Sequence, residues 1–313
     1  MSEIDILSFG ETMAMFVAEQ TGDLAQVAQF HKRIAGADSN VAIGLSRLGF
    51  NVAWLSRVGN DSLGRFVVDT LKKEGLDCRH VAVDPLHPTG FQFKSREEAG
   101  ADPQVEYFRK GSAASHLSIA AISPALLNAR HLHATGIPPA LSEATRELSV
   151  ELMTQMRKAG RSVSFDPNLR PSLWANEQTM IREINALAGL ADWVLPGLGE
   201  GRLLTGFDDP ADIAAFYLDK GAEAVAIKLG PDGAYFRTQM DKGFIAAVPV
   251  AKVVDTVGAG DGFAVGMISA LLENLSFPEA VQRGNWIGSR AVQSRGDMEG
   301  LPTRSELPVR SVA

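Results

Sequence analysis

A chain of 313 residues with 45% hydrophobic and 21% charged side chains has enough apolar material for a substantial core and is ordinary for a soluble globule. Its formal charge of −7 argues against a general nucleic-acid surface, so an anionic ligand has to be met by locally placed basic residues. Cys78 is alone, which excludes an intrachain disulfide and a cysteine metal cluster; with no secretory leader and no apolar run of membrane length, a cytoplasmic protein is expected.

Short apolar runs alternate with longer helical patterns along the chain. Residues 4–9 read as a buried strand, and residues 13–16 with the stretch up to 34 alternate in strand fashion. Residues 39–48 read as a helix closed by Gly49, 52–58 as a strand, and 63–74 as a helix closed by Gly75. Residues 89–94 and 105–108 alternate again with no long helix between them. Strands at 131–135, 162–165, 193–195 and 225–229 are then separated by helices at 142–159, 177–187 and 211–220, the first and last closed by Gly160 and Gly221. Asp209-Pro210 supplies a cap and first-turn proline, and Ser276-Phe277-Pro278-Glu279 matches a capping box. The alternation predicts a mostly parallel sheet with helices on both faces. The two irregular regions predict a small antiparallel sheet beside it. No repeat, low-complexity tract or linker divides the chain, so residues 1–313 are expected to form one unit.

The stretch from Asp255 to Gly266, Asp-Thr-Val-Gly-Ala-Gly-Asp-Gly-Phe-Ala-Val-Gly, carries the most chemistry. Gly258 and Gly260 let the backbone turn or approach a ligand closely, and the turn runs straight into an apolar helix whose first N–H groups lack intrahelical partners. Such a terminus suits a phosphate, and Asp261 at its edge is placed to take a proton from an attacking hydroxyl, with the helix dipole expected to keep it ionised. From these residues alone, an ordinary helix cap on a glycine turn remains the alternative. Two other nucleotide motifs fail: a Rossmann spacing needs glycine where Phe263 stands, and the absence of any Gly-Lys pair excludes a Walker A loop. Lys228-Leu229-Gly230-Pro231-Asp232-Gly233 reads by itself as a hairpin turn. His131-Leu132-His133 puts two imidazoles on one strand face, but without an acidic or cysteine partner nearby ordinary buried histidines are expected.

The 255–266 stretch resembles the C-terminal signature of the ribokinase-like (PfkB) carbohydrate kinases, and the resemblance runs nearly end to end. Gly10-Glu11-Thr12, Ala35-Gly36-Ala37-Asp38-Ser39-Asn40 leading into Gly44 to Gly49, and Arg57-Val58-Gly59-Asn60-Asp61 with Gly64 fit the family's first block. Tyr107-Phe108-Arg109-Lys110-Gly111-Ser112, Asp166-Pro167-Asn168-Leu169-Arg170 and Gly296-Asp297-Met298-Glu299-Gly300 resemble the branch acting on 2-keto sugar acids, 2-keto-3-deoxygluconate or 2-ketogluconate. The resemblance implies a ribokinase-like three-layer α/β sandwich with a β lid built from roughly 12–34 and 89–115, a homo-oligomer, and ATP-dependent phosphorylation of the terminal 6-hydroxyl.

It implies Asp261 as base and the backbone of Gly258, Ala259 and Gly260 as anion hole. Gly36, Tyr107, Arg109, Arg170 and Asp297 are implied for the sugar acid, the arginines because a guanidinium grips a carboxylate with two parallel hydrogen bonds. Asn168, Arg170, the residues from Lys228 through Leu229, Gly230, Pro231 and Asp232 to Gly233, and Asn285 are implied for ATP. Glu200 has the place for hydrated Mg2+, although Gly197 stands where the family's asparagine does; Asp255 with Thr256 has the place where some relatives hold a monovalent cation such as K+, but a plain strand-end turn is the preferred reading there. Gln92 stands where some members carry tyrosine. A neutral-sugar or nucleoside kinase is disfavoured because two arginines would face no anion, and a catalytically silent sugar-acid sensor because it needs no base.

Overall fold

The computed structural model describes residues 3–97, 103–294 and 296–308. Residues 98–102 of the expected lid segment, and both ends of the expected 1–313 unit, lie outside the described residues. The chain opens with β1 (Ile6–Phe9), β2 (Met13–Thr21) and β3 (Phe30–Ala35), followed by α1 (Ala37–Arg47), β4 (Val52–Gly59), α2 (Ser62–Lys73) and β5 (Val81–Asp84). Next come β6 (Phe91–Arg96), β7 (Val105–Phe108), β8 (His131–Thr135), α3 (Pro138–Leu141) and α4 (Glu143–Lys158). They lead to β9 (Ser162–Asp166), α5 (Glu177–Ala188), β10 (Trp193–Val194), α6 (Leu198–Thr205) and α7 (Pro210–Asp219). β11 (Ala224–Lys228), β12 (Ala234–Thr238), β13 (Lys242–Ile245), α8 (Ala259–Leu272) and α9 (Phe277–Ala291) complete the regular elements.

Nine strands form one sheet in the order β13-β12-β11-β10-β9-β8-β1-β4-β5, parallel throughout except that β12 runs against both its neighbours. The strands read as short continuous apolar runs because both faces of the sheet are covered. β1 illustrates this: Leu7 and Phe9 belong to one core with residues such as Leu148 of α4 and Ile184 of α5, whereas Ile6 belongs to a second core with Val41 of α1, Ile268 of α8 and Ile287 of α9. The result is the expected three-layer α/β sandwich. No helix among the described residues is long and apolar enough to cross a membrane.

The smaller sheet has the order β3-β2-β6-β7. It was expected to be antiparallel, and its two outer ladders are, but β2 and β6 pair in parallel at the centre. The long connection through α1, β4, α2 and β5 allows that, since parallel neighbours need a crossover rather than a hairpin. On one face of β6, Phe91 and Phe93 mesh with Phe16, Phe30 and Phe108, and the Phe91 and Phe108 rings stack at 4.8 Å between centroids. Alternation turns Gln92 and Lys94 to the opposite face, where both are buried.

α8 and α9 cross closely because glycines line the contact. A Cβ on Gly266 would lie 2.5 Å from the Gly284 Cα. Gly266→Val should therefore destabilise the fold by at least the ~1–3 kcal/mol typical of overpacking. Gly199→Ala on α6, where a Cβ meets nothing within 4 Å, should be neutral or slightly stabilising. Urea denaturation of both variants checks the pair.

Candidate active site

The C-terminal ends of β1, β8, β9 and β11 converge on a cleft of 390 Å³, the location expected for a ligand site in an open parallel sheet. One wall is the start of α8. Gly258 caps that helix in a left-handed conformation (φ 84°), and the first ladder donor is the Gly262 N–H, which reaches the Gly258 carbonyl at 2.8 Å. The N–H groups of Ala259, Gly260 and Asp261 therefore precede the ladder and form a short row of donors. Gly258 has to lack a side chain for a second reason: a Cβ there would stand 2.4 Å from the Asp297 carbonyl oxygen. At Gly260 the constraint is weaker: a Cβ would stand 3.3 Å from the Lys228 ammonium, the far end of a flexible side chain.

Asp261 is buried on the first turn of α8. Its Oδ2 accepts from Asn40 Nδ2 at 2.8 Å, and its Oδ1 faces Asn168 Nδ2 at 3.4 Å. Burial pushes its carboxyl up to about 6; the Asn40 hydrogen bond and Lys228 oppose the shift, while Asp166 and Asp297 add to it. At about 6 the carboxyl is still mostly ionised at neutral pH, the state expected for it, but it holds its proton more tightly than a free aspartate. Desolvation and two neighbouring carboxylates outweigh the Asn40 hydrogen bond and Lys228 and leave Asp261 with a proton affinity suited to a base near neutral pH. Asp38, buried beside it on α1, is pushed up to about 7, mainly by burial and further by Asp261.

The arginines behave differently from each other. Arg109 is buried with Glu11, its Nε at 2.7 Å and Nη2 at 2.6 Å from Glu11 Oε2, and Ser112 donates to the other carboxylate oxygen. The premise that both arginines lack an anion within the protein is corrected here, because Arg109 carries its own. Arg170 instead donates through Nη1 to the backbone carbonyls of Leu169 at 2.9 Å and Asn168 at 3.3 Å, and makes no ion pair among the described residues. It lines the cleft half-buried, following the end of β9.

On the opposite side, Lys228 at the end of β11 pairs with Asp166 at 2.6 Å. Burial alone would weaken its hold on the proton, but Asp166 and Glu200 outweigh that and keep it charged. Glu200, expected to orient magnesium water, accepts the N–H groups of Leu169 at 2.8 Å and Gly197 at 2.7 Å, so it ties β9 to the start of α6 while lining the cleft. No group of three or more metal-ligating side chains occurs among the described residues. Asp255 accepts Lys94 Nζ at 2.9 Å and the Val257 N–H at 3.1 Å, so its carboxylate is already partnered.

Gly36, Tyr107, Arg109, Asn168, Arg170, Glu200, Lys228, Gly258, Gly260, Asp261 and Asp297 all line the one cleft. Leu229, Gly230, Pro231, Asp232 and Gly233 form the tight turn between β11 and β12 outside its lining, and Ala259 is the first residue of α8, between two lining glycines. Asn285 donates its amide to the carbonyls of Ile245 and Ala246, fastening α9 to the end of β13. His131 and His133 are the expected buried histidines: both bond to serine hydroxyls of β9, and burial drives both toward the neutral form.

Sequence reasoning assigned no role to Glu11, Asp38, Asn40 or Asp166, although each stands inside a motif that drew attention. Lys94 carried a weaker signal, a lysine amid the aromatic alternation of residues 91–94.

Comparison with known proteins agrees with this geometry. The model of the pfkB family of carbohydrate kinases matches residues 3–304. The chain is 55% identical over 307 residues to the 2-dehydro-3-deoxygluconokinase of Bacillus subtilis (strain 168), covering 97% of this chain and 94% of that one. The crystal structure of a PfkB protein from Polaromonas sp. JS666 superposes with a TM-score of 0.90 at 55% identity, covering 97% of this chain and 98% of that one. A putative ribokinase II from E. coli in complex with ATP and Mg2+ superposes with a TM-score of 0.89 at 27% identity, covering 97% of each chain. A glycine-capped helix presenting free amides and one buried aspartate, set in a match that spans almost the whole chain, makes this protein a member of the pfkB family of carbohydrate kinases.

Proposed function

We propose that this chain transfers the terminal phosphoryl group of ATP to the 6-hydroxyl of 2-dehydro-3-deoxy-D-gluconate, the closely similar 2-dehydro-D-gluconate being the alternative substrate. The observation that carries the reading is Arg170, a cation facing the cleft with no carboxylate partner among the described residues. The likeness to the Bacillus subtilis enzyme supports the same substrate class. In this reading Arg170 receives the sugar-acid carboxylate, while Gly36, Gln92, Tyr107, the Arg109–Glu11 pair and Asp297 bound the sugar.

The step itself is a displacement at phosphorus. Asp261 takes the proton of the 6-hydroxyl as the oxygen bonds to the γ-phosphorus. The bond from that phosphorus to the β–γ bridging oxygen breaks, and ADP leaves. The free amides of Ala259, Gly260 and Asp261, which follow the Gly258 cap and so lie one residue on from the expected row of 258–260, donate to the oxygens that gain charge, and Lys228 adds a fixed positive charge nearby. Asn40 and Asn168 orient the carboxylate of the base. The turn from Leu229 to Gly233 and the segment fastened by Asn285 bound the nucleotide side. A bound magnesium ion would supply charge neutralisation of the phosphates. Glu200 and Asp166, which line the cleft without forming a group of three or more metal-ligating side chains among the described residues, would hold the ion's water rather than the ion itself. The four-stranded sheet acts as a lid, and its aromatic face, with Phe108 49% exposed, supports a homo-oligomer formed through that face.

The competing reading is a neutral ketose kinase, favoured by one observation: the Arg109–Glu11 pair is self-neutralised and offers polar contacts to hydroxyls. A coupled ATP-consumption assay comparing 2-dehydro-3-deoxygluconate, 2-dehydrogluconate, fructose and ribose decides between them. Fructose turned over as efficiently as either keto acid overturns the sugar-acid reading.

Asp261→Asn should lower kcat by ~10²–10⁴-fold, the range of general-base catalysis, with ATP binding retained. Isothermal titration with ATP and steady-state turnover separate the two effects, and turnover within threefold of the parent excludes Asp261 as base. Because burial raises this carboxyl to about 6 and the ionised form is the active one, log kcat/KM should climb with pH below about 6 and level off above it.

The arginine variants should part company. Arg170→Ala removes a charge-assisted bond of ~1.5–3 kcal/mol, about one to two decades in affinity, so it should raise KM for the keto acid far more than for ATP. Arg170→Lys should rescue only partly, since an ammonium lacks the two-pronged grip. Arg109→Ala strands a buried Glu11 and should cost about 3–5 kcal/mol in stability besides any change in KM. Thermal denaturation beside Michaelis kinetics reads both.

A further inference from the structure

Lys94 has no part in the reaction as written, yet it is among the most constrained cations in the molecule. It sits on β6, on the cleft-facing side of the smaller sheet, 4% exposed. Its Nζ lies 2.9 Å from Asp255 Oδ2 and 3.1 Å from Asp297 Oδ1. Burial would weaken its proton affinity, but the two carboxylates outweigh that and hold it charged.

Both of its partners bear directly on the anion hole. Asp255 begins the turn that ends in Gly258, and its other oxygen accepts the Val257 N–H. The main chain of Asp297 is the surface against which Gly258 packs, its carbonyl leaving no room for a Cβ. From beneath, the turn is anchored by the Val254 and Asp255 N–H groups donating to the Val292 carbonyl at the end of α9. Lys94 anchors it from the side of the small sheet. Without the ammonium, the buried Asp297 carboxylate and the partly buried Asp255 carboxylate would share one site, and like charges so placed repel unless a proton or another cation intervenes. The Arg33–Glu299 pair also joins the small sheet to the 296–300 segment, but it is about one-third exposed and thus more strongly screened.

We infer that Lys94 is a resident cation, a positioning residue that holds turn 255–258 and Asp297 in the geometry of the anion hole and fills with its own ammonium the place a dissolved monovalent cation would otherwise take between the two carboxylates. The inference rests on the phosphoryl-transfer reading for its kinetic consequences, and on the ion-pair geometry alone for its effect on stability.

The test compares wild type with Lys94→Met in potassium, ammonium and choline chloride at matched ionic strength, reading kcat, both KM values and the melting temperature. Wild type should be indifferent to the salt. Lys94→Met should lose ~10²-fold in kcat, the scale of an ångström misplacement of reacting groups, with smaller changes in KM. Potassium or ammonium, but not choline, should then raise both its turnover and its melting temperature. Lys94→Arg, which keeps the charge, should stay indifferent to the salt. Wild-type turnover that rises several-fold from choline to potassium overturns the inference, even if Lys94→Met does not fold. It is equally overturned if Lys94→Met keeps parental turnover in choline, or if small cations restore neither its turnover nor its melting temperature. Should wild type phosphorylate no sugar acid, the substrate reading fails alone, because the melting-temperature comparison still decides whether Lys94 replaces a dissolved cation.

Discussion

The catalytic end of the molecule depends on Gly258 having no side chain. Its left-handed backbone turns the chain from residue 255 into α8, and the Asp297 carbonyl occupies the space where a Cβ would stand. That contact fixes where α8 begins, and therefore where the free amides of residues 259–261 point. The same helix is held from behind by its glycine-lined crossing with α9, where Gly266 meets Gly284. Aim and rigidity of the donor row thus come from backbone packing, the arrangement that keeps such donors in place without reorganisation while charge develops.

Electrostatically the cleft is acidic. Six carboxylates line it, those of Glu11, Asp38, Asp166, Glu200, Asp261 and Asp297, against four cations, Lys94, Arg109, Arg170 and Lys228. In a chain of net charge −7 this gives no long-range attraction for an anionic sugar or a nucleotide. Recognition has to come from local geometry. Three of the four cations are already paired with aspartate or glutamate, so each stands ready without being a strong free charge. Arg170 alone among them lacks an acidic partner in the described residues. The same crowding of carboxylates raises the proton affinity of Asp261, so the acidity that repels a substrate at long range also tunes the base.

Much of this was legible in one dimension, and the illegible parts share a cause. The strand at residues 131–135 and the helix beginning at Glu177 coincide with β8 and the start of α5, because apolar period and capping are local. The glycine turn and Asp261 were readable because their chemistry requires adjacent residues. By contrast α6, with Gly197, Gly199 and Gly201 near its start, has weak helix propensity and is held by Glu200 reaching Gly197 and Leu169. The parallel pairing of β2 with β6 joins Ala14 to Phe91 across the chain. Arg109 finds Glu11 across a separation of 98 residues, and Lys94 finds Asp297 across 203. Local pattern identified the charged residues, but only the fold could identify their partners, and the partners decide which arginine is free.

That distinction bears on how one scaffold serves several sugars. The groups proposed to move phosphorus, Asp261, the α8 amides and Lys228, stand on α8 and the end of β11 and are braced by the two packed cores. Several of the groups that bound the sugar, Gln92, Tyr107 and Arg109, stand on or just beyond β6 and β7, in a separate four-stranded sheet. Because side chains alternate along β6, Gln92 can change without disturbing Phe91 and Phe93 on the other face. Substrate preference can therefore shift by substitution on the small sheet while the donor row and base keep their geometry. Arg170 is the exception: it hangs from the end of β9, four residues beyond Asp166, so the carboxylate it is proposed to receive is registered against the main sheet. The acid end of the sugar is then fixed relative to Asp261, and the smaller sheet is left to discriminate among the hydroxyls between.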